Sequence, residues 1–123
     1  MKNIFLIAFF CLIGIQVSAQ SKDKNKKLNI EVQGNCEMCK SRIEKACAKV
    51  KGVKYANWDI PSKELTLIFN ENKCTVLDIK KAISSVGHDT DSVKTSDEAY
   101  NNLPACCKYK DPNSLHLNHD TGH

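Results

Sequence analysis

The residues that could do chemistry in this chain of 123 residues are its seven cysteines, and their spacing narrows what that chemistry is. Cys36 and Cys39 form a C-x-x-C pair, Cys106 and Cys107 are neighbours, and Cys11, Cys47 and Cys74 stand alone. The spacing of Cys36 and Cys39 lets both sulfurs face one point. Held as thiolates on a loop, they would capture a soft ion, with Cu(I), Zn(II) and Hg(II) as the candidates. A structural zinc site normally takes about four protein ligands. Cu(I) is content with about two or three soft ones, so the bare pair favours it. The same pair could serve thiol–disulfide exchange. In an oxidising compartment it could also close on itself and leave a disulfide-stabilised interaction module.

The adjacent pair is a different case. A trans peptide holds neighbouring Cα atoms about 3.8 Å apart, below the roughly 4.4–6.8 Å that disulfides prefer. Cys106 and Cys107 are therefore expected to bind metal or to pair with other cysteines. Twelve residues intervene between Lys94 and Cys107, enough chain to reach either end of a small domain. Cys74 and the C-x-x-C loop both stay within range. His116, His119 and His123 close the chain at a spacing suited to a loose imidazole site for a borderline divalent ion. No Ser/His/Asp set, phosphate loop or catalytic carboxylate pair is present, so no enzymatic activity is expected.

The elements that must position these thiols follow from periodicity. Leu28, Ile30 and Val32 alternate with polar residues, as a half-buried strand does. Gly34 and Asn35 break that strand. From Cys39 the period becomes helical, with Ile43, Ala46, Cys47 and Val50 on one face and Gly52 at the end. Strands are predicted at 53–58 and 65–69, separated by a turn at 61–63. A second helix starts at Thr75, where Asp78 completes a capping box, and Gly87 ends it. A short polar strand is predicted at 89–93. The order β-α-β-β-α-β is the α+β ferredoxin-like plan: a four-stranded antiparallel sheet with two helices on one face. Beyond it, Ser96 would cap a short helix stopped by Pro104, and from Lys108 onward the chain reads as polar and unstructured. Cys36 and Cys39 then fall where the first strand gives way to the first helix. The positive end of that helix favours a thiolate over a thiol.

Gly34-Asn35-Cys36-Glu37-Met38-Cys39 followed by Ile43, then Val50-Lys51-Gly52-Val53, resembles the heavy-metal-associated domain family. Ile83 to Gly87-His88 is similar to that family's second helix and closing loop. The likeness spans 28–93. It implies a metal carrier whose ligands are Cys36 and Cys39 and whose partner is a metal-transporting pump or another carrier. One departure is clear: the family usually has Met where Asn35 stands. In this topology the loop after the second helix lies at the same end as the C-x-x-C loop. His88 is therefore expected near the thiols, as a third ligand, as a polar gate, or simply as an exposed loop histidine. Cys74 is expected at the opposite end, and Cys47 as an inert core residue.

The chain opens like an address label. Lys2 precedes an apolar run from Ile4 to Ile15, and Val17-Ser18-Ala19 offers small residues for cleavage before Gln20. The run is too short for a span of roughly 20 residues, so no stable membrane insertion is expected after cleavage. The expected division is a signal peptide at 1–19, a linker at 20–27, the metal-binding domain at 28–94 and an extension at 95–123. A net charge of +4, lowered by loss of Lys2, is too weak and dispersed to argue for nucleic acid. The expectation is a monomeric carrier in the periplasm or outside the cell.

Overall fold

The computed structural model describes residues 22–114. The leader at 1–19 and His116, His119 and His123 lie outside the described residues. The elements are β1 (Lys26–Glu31), α1 (Glu37–Ala48), β2 (Val53–Trp58), β3 (Glu64–Phe69), α2 (Val76–Ser85), α3 (Asp97–Asn101) and a 3₁₀ turn (Ala105–Cys107). Up to α2 this is the order the periodicities predict, an α+β fold on the ferredoxin-like plan.

The sheet runs β1-β3-β2, with both pairings antiparallel. Leu28 faces Leu67 and Ile30 faces Leu65, so one face of the sheet is apolar. A register shift between Val53 and Tyr55 changes the phase of β2. It lets Val53, Ala56 and Trp58 all join the core despite their uneven spacing. Over this face pack α1, through Cys39, Ile43, Ala46 and Cys47, and α2, through Ile79 and Ile83. The capping box is present: Asp78 N donates to Thr75 Oγ1 at 3.2 Å, and Thr75 N donates to Asp78 Oδ2 at 2.9 Å.

Two expectations need correction. The sheet has three strands among the described residues, and the predicted strand at 89–93 is reduced to a single bridge between Val32 and Thr90. The cause is local. Thr90 N donates to Val93 O at 2.9 Å, and Val93 N donates to Thr90 Oγ1 at 3.0 Å. The threonine turn uses the backbone groups that a longer ladder would need. The second correction concerns the tail, which is built into the domain well past Lys108. Ser96 caps α3 by accepting from Ala99 N at 3.1 Å. Leu103, Cys107 and Ser114 are buried. Gly87, with φ of +103°, ends α2 so close to the tail that a Cβ there would lie 2.8 Å from Leu103. Its positive φ and this contact both favour glycine.

Candidate metal centre

The centre is built where β1 runs into α1. Gly34 passes against the indole of Trp58, since a Cβ there would lie 2.9 Å from the ring. The Lys63 ammonium donates to the Gly34 carbonyl. Trp58 is itself fixed by donating from Nε1 to Val32 O at 3.0 Å. The chain leaves this packed corner with Cys36 extended (φ −151°, ψ 172°) as the N-cap of α1. Its carbonyl accepts from Lys40 N at 3.0 Å, so the helix starts directly behind it. Cys39 follows in the first turn and is fully buried.

The two sulfurs lie 3.2 Å apart, and all six described cysteines are free thiols. Burial would raise the Cys36 thiol. The amide and thiol of Cys39, the thiol of Cys107 and the amide of Met38 together outweigh it and hold Cys36 below the ordinary thiol value. For Cys39 burial prevails, reinforced by the neighbouring Cys36, and its pKa is raised. Its thiol donates to Asn35 Oδ1 at 3.4 Å. The pair thus divides into a thiol at the helix start that gives up its proton more readily and a neighbour that holds its proton more tightly.

The tail reaches this end of the domain. Cys107 Sγ is fully buried and sits 3.5 Å from Cys36 Sγ. Cys106 Sγ is 4.0 Å from Cys107 Sγ and 3.3 Å from the Met38 sulfur. The sulfurs of Cys36, Cys106 and Cys107 all lie within 4.8 Å of one another. The sequence left Cys74 and the C-x-x-C loop as equal destinations for this pair, and the structure brings it to the loop. Cys74 is elsewhere, against Gly52 and the carbonyl of Asn70. Cys47 is in the core, where burial pushes its thiol up to about 12.

His88 is fully buried rather than exposed on its loop. Its Nδ1 lies 2.7 Å from Gln33 O. A carbonyl can only accept, so Nδ1 carries the proton and Nε2 keeps its lone pair. That Nε2 is buried with no hydrogen-bond partner. Burial drives the imidazole pKa down to about 4, against the weaker opposing effect of the Gln33 carbonyl, so the ring is neutral. Neither His88 nor Cys39 is among the three ligand atoms in that group, which are those of Cys36, Cys106 and Cys107. Its ring stacks on Tyr109, with centroids 5.5 Å apart.

The roles of Tyr109 and Met38 in this site escaped the sequence reading, and Asn35 stood out there only as a departure from the family's pattern. Asn35 joins the thiol loop to the tail, accepting from Cys39 and donating to Ser114. Tyr109 clamps the tail: its hydroxyl accepts from Asp89 N and donates to Gly87 O, both at 3.0 Å. Met38 puts a thioether beside Cys106. The one available signal was that Asn35 replaces an apolar residue in a chain that also carries a cysteine-bearing tail.

The comparisons with known proteins bear on the same stretch. A family model described as the heavy-metal-associated domain matches residues 30–89. The copper chaperone CopZ of Staphylococcus haemolyticus (strain JCSC1435) is 34% identical over 65 residues, which cover 53% of this chain and 94% of that protein. The mercuric transport protein periplasmic component of Shewanella putrefaciens is 30% identical over 89 residues, covering 72% of this chain and 93% of that protein. Among solved structures, one similar chain is the N-terminal domain of a potential copper-translocating P-type ATPase from Bacillus subtilis in the Cu(I)-loaded state. It superposes with a TM-score of 0.52 at 26% identity, over 58% of this chain and 99% of that one. The family match ends before Cys106 and Cys107.

Proposed function

The chain belongs to the heavy-metal-associated domain family, and from that premise we propose that it is an exported carrier of Cu(I). The ion is its cargo, held between the sulfurs of Cys36 and Cys39. The observation that carries this reading is the sulfur pair 3.2 Å apart at the start of α1, with Cys36 held below the ordinary thiol value. A thiol whose pKa is lowered at a helix N-terminus gives up its proton to a soft ion more readily than an ordinary one. Transfer proceeds by stepwise thiolate exchange with a partner's ligands, and no substrate bond is broken. The partner is a metal-transporting pump or a second carrier. The names of the relatives above support copper first and Hg(II) as competing cargo, while Zn(II) stays a competitor on the chemistry of the thiolate pair alone.

The leader at 1–19 is removed on export, and the carrier works as a monomer in the periplasm or outside the cell. No helix among the described residues is long and apolar enough to cross a membrane.

The lowered pKa of Cys36 beside the raised one of Cys39 also favours a second reading, a thiol–disulfide redox protein. Anaerobic Cu(I) titration of the reduced protein against a competing chelator separates the two. One tightly bound equivalent, lost in Cys36→Ser/Cys39→Ser, is the expected result. Weak binding, or binding that survives the double substitution, overturns the carrier reading and leaves redox exchange to be assayed.

A further inference from the structure

We propose that the tail supplies a third thiolate to the same ion: Cys107 closes a Cys36–Cys39–Cys107 site, and Cys106 with Met38 forms its sulfur-lined mouth. This inference rests on the carrier reading and goes beyond the C-x-x-C pair.

The first support is distance. Metal–sulfur bonds of about 2.3 Å place three ligands of a trigonal site about 4 Å apart. Two of the three sides, Cys36–Cys39 at 3.2 Å and Cys36–Cys107 at 3.5 Å, need to open only slightly to admit an ion, and Cys36 is the sulfur common to both. The second is placement. Cys107 lies on a 3₁₀ turn outside the family match, yet it is fully buried against the thiol loop. There Cys107 joins the buried core together with Leu103, and Cys106 and Tyr109 pack against it, so the tail's own packing holds both cysteines at the thiol loop. The third is anchorage on both sides. Leu103 packs on Gly87 before the turn. After it come the Tyr109 clamp to Asp89 and Gly87 and the Asn35–Ser114 bond. These contacts leave Cys107 little freedom to be anywhere else. The fourth is gradation. Cys106 is only partly buried and touches the Met38 sulfur at 3.3 Å, while Met38 is exposed. An arriving ion meets a thiol and a thioether before it meets the buried thiols.

Cu(I) suits this donor set, since it accepts about three soft ligands and needs no fourth. The proton balance is simple. Each thiol that forms a sulfur–metal bond releases its proton to solvent, and the ion stays Cu(I) throughout.

The test uses the full chain without its leader, loaded with one equivalent of Cu(I) in the absence of added thiols. X-ray absorption at the copper edge counts the sulfur neighbours. Three sulfurs are expected in the wild type and two in Cys107→Ser, with chelator competition showing about tenfold weaker binding in the variant. Two sulfurs in the wild type, or three in both proteins, overturn the proposal. Cys106→Ser is the second variant: it should keep three sulfurs, and a fall to two there would pass the third-ligand role to Cys106 and overturn the proposal even if Cys107→Ser folds poorly. A wild type that takes up no Cu(I), or keeps it without Cys36 and Cys39, instead fails the carrier reading itself.

Discussion

Asn35 donates from Nδ2 to Ser114 Oγ at 2.5 Å, joining residues 79 positions apart in the chain. The same amide accepts from the Cys39 thiol on its other side. One side chain therefore touches both the thiol loop and the end of the described tail.

Ser114→Ala removes this tie while leaving every cysteine in place. Loss of one part-buried hydrogen bond lowers unfolding free energy by about 1 kcal/mol. The local effect is larger, because the last anchor after Cys107 is gone. Pulse alkylation of the metal-free protein, read by mass spectrometry, should show Cys107 labelled several-fold faster in the variant while Cys47 is unchanged. Equal labelling would mean that the Tyr109 clamp alone holds the turn.

Gly87→Ala tests the other side of the tail. The position has φ of +103°, and an added Cβ would fall 2.8 Å from Leu103 and 2.9 Å from the Ala99 carbonyl. Backbone strain of this kind costs about 1–3 kcal/mol. The expected result in chemical denaturation is a lower midpoint, with α3 and the tail losing amide-exchange protection before the sheet does.

His88 makes the stability of the metal-free fold depend on pH. Its folded pKa of about 4 lies below the unfolded value of 6.5, so the unfolded chain takes up the proton first as pH falls. Stability from this group is complete above pH 6.5, declines as pH drops towards 4, and then levels off. The loss across the window is on the order of 3 kcal/mol. Thermal melts in that range should show His88→Gln with a flatter profile than the wild type, and parallel profiles would refute the assignment.

The two thiols of the pair should separate by reactivity. Cys36 lies below the ordinary thiol value and Cys39 above it. The iodoacetamide rate at Cys36, measured peptide by peptide in metal-free protein, should reach its plateau at a lower pH than the rate at Cys39. The reverse order would remove the case for Cys36 as the attacking thiolate.

What the sequence disclosed was whatever repeats or punctuates. Leu28 and Ile30 announced a strand by alternation, Ile79 and Ile83 a helix by their spacing, and Thr75 with Asp78 its start. The phase change in β2 hid in the same pattern, because Val53 and Trp58 sit on opposite parities and only a bulge brings both inward. The predicted edge strand failed because Thr90 can bond to its own neighbours, which an apolar–polar count does not register. The tail failed for another reason. Tyr109 and Ser114 are single residues whose partners, Gly87, Asp89 and Asn35, lie far away in sequence. Such contacts leave no period behind, so a polar stretch reads as loose until the fold supplies the other half of each bond. Cys36 and Cys39 were legible as a pair from spacing alone, whereas the approach of Cys107 was not.

The Tyr109 clamp has a consequence for competition at the site. It grips the chain two residues beyond Cys107, through hydrogen bonds to Gly87 and Asp89. A thiol on so short a tether does not diffuse away when it lets go of its neighbours. It stays at an effective concentration in roughly the millimolar range, as short linkers impose. A visiting thiol in dilute solution must therefore displace a rival that is always present. Small free thiols compete poorly on these terms, while a docked protein, which brings its own high local concentration, does not face that handicap.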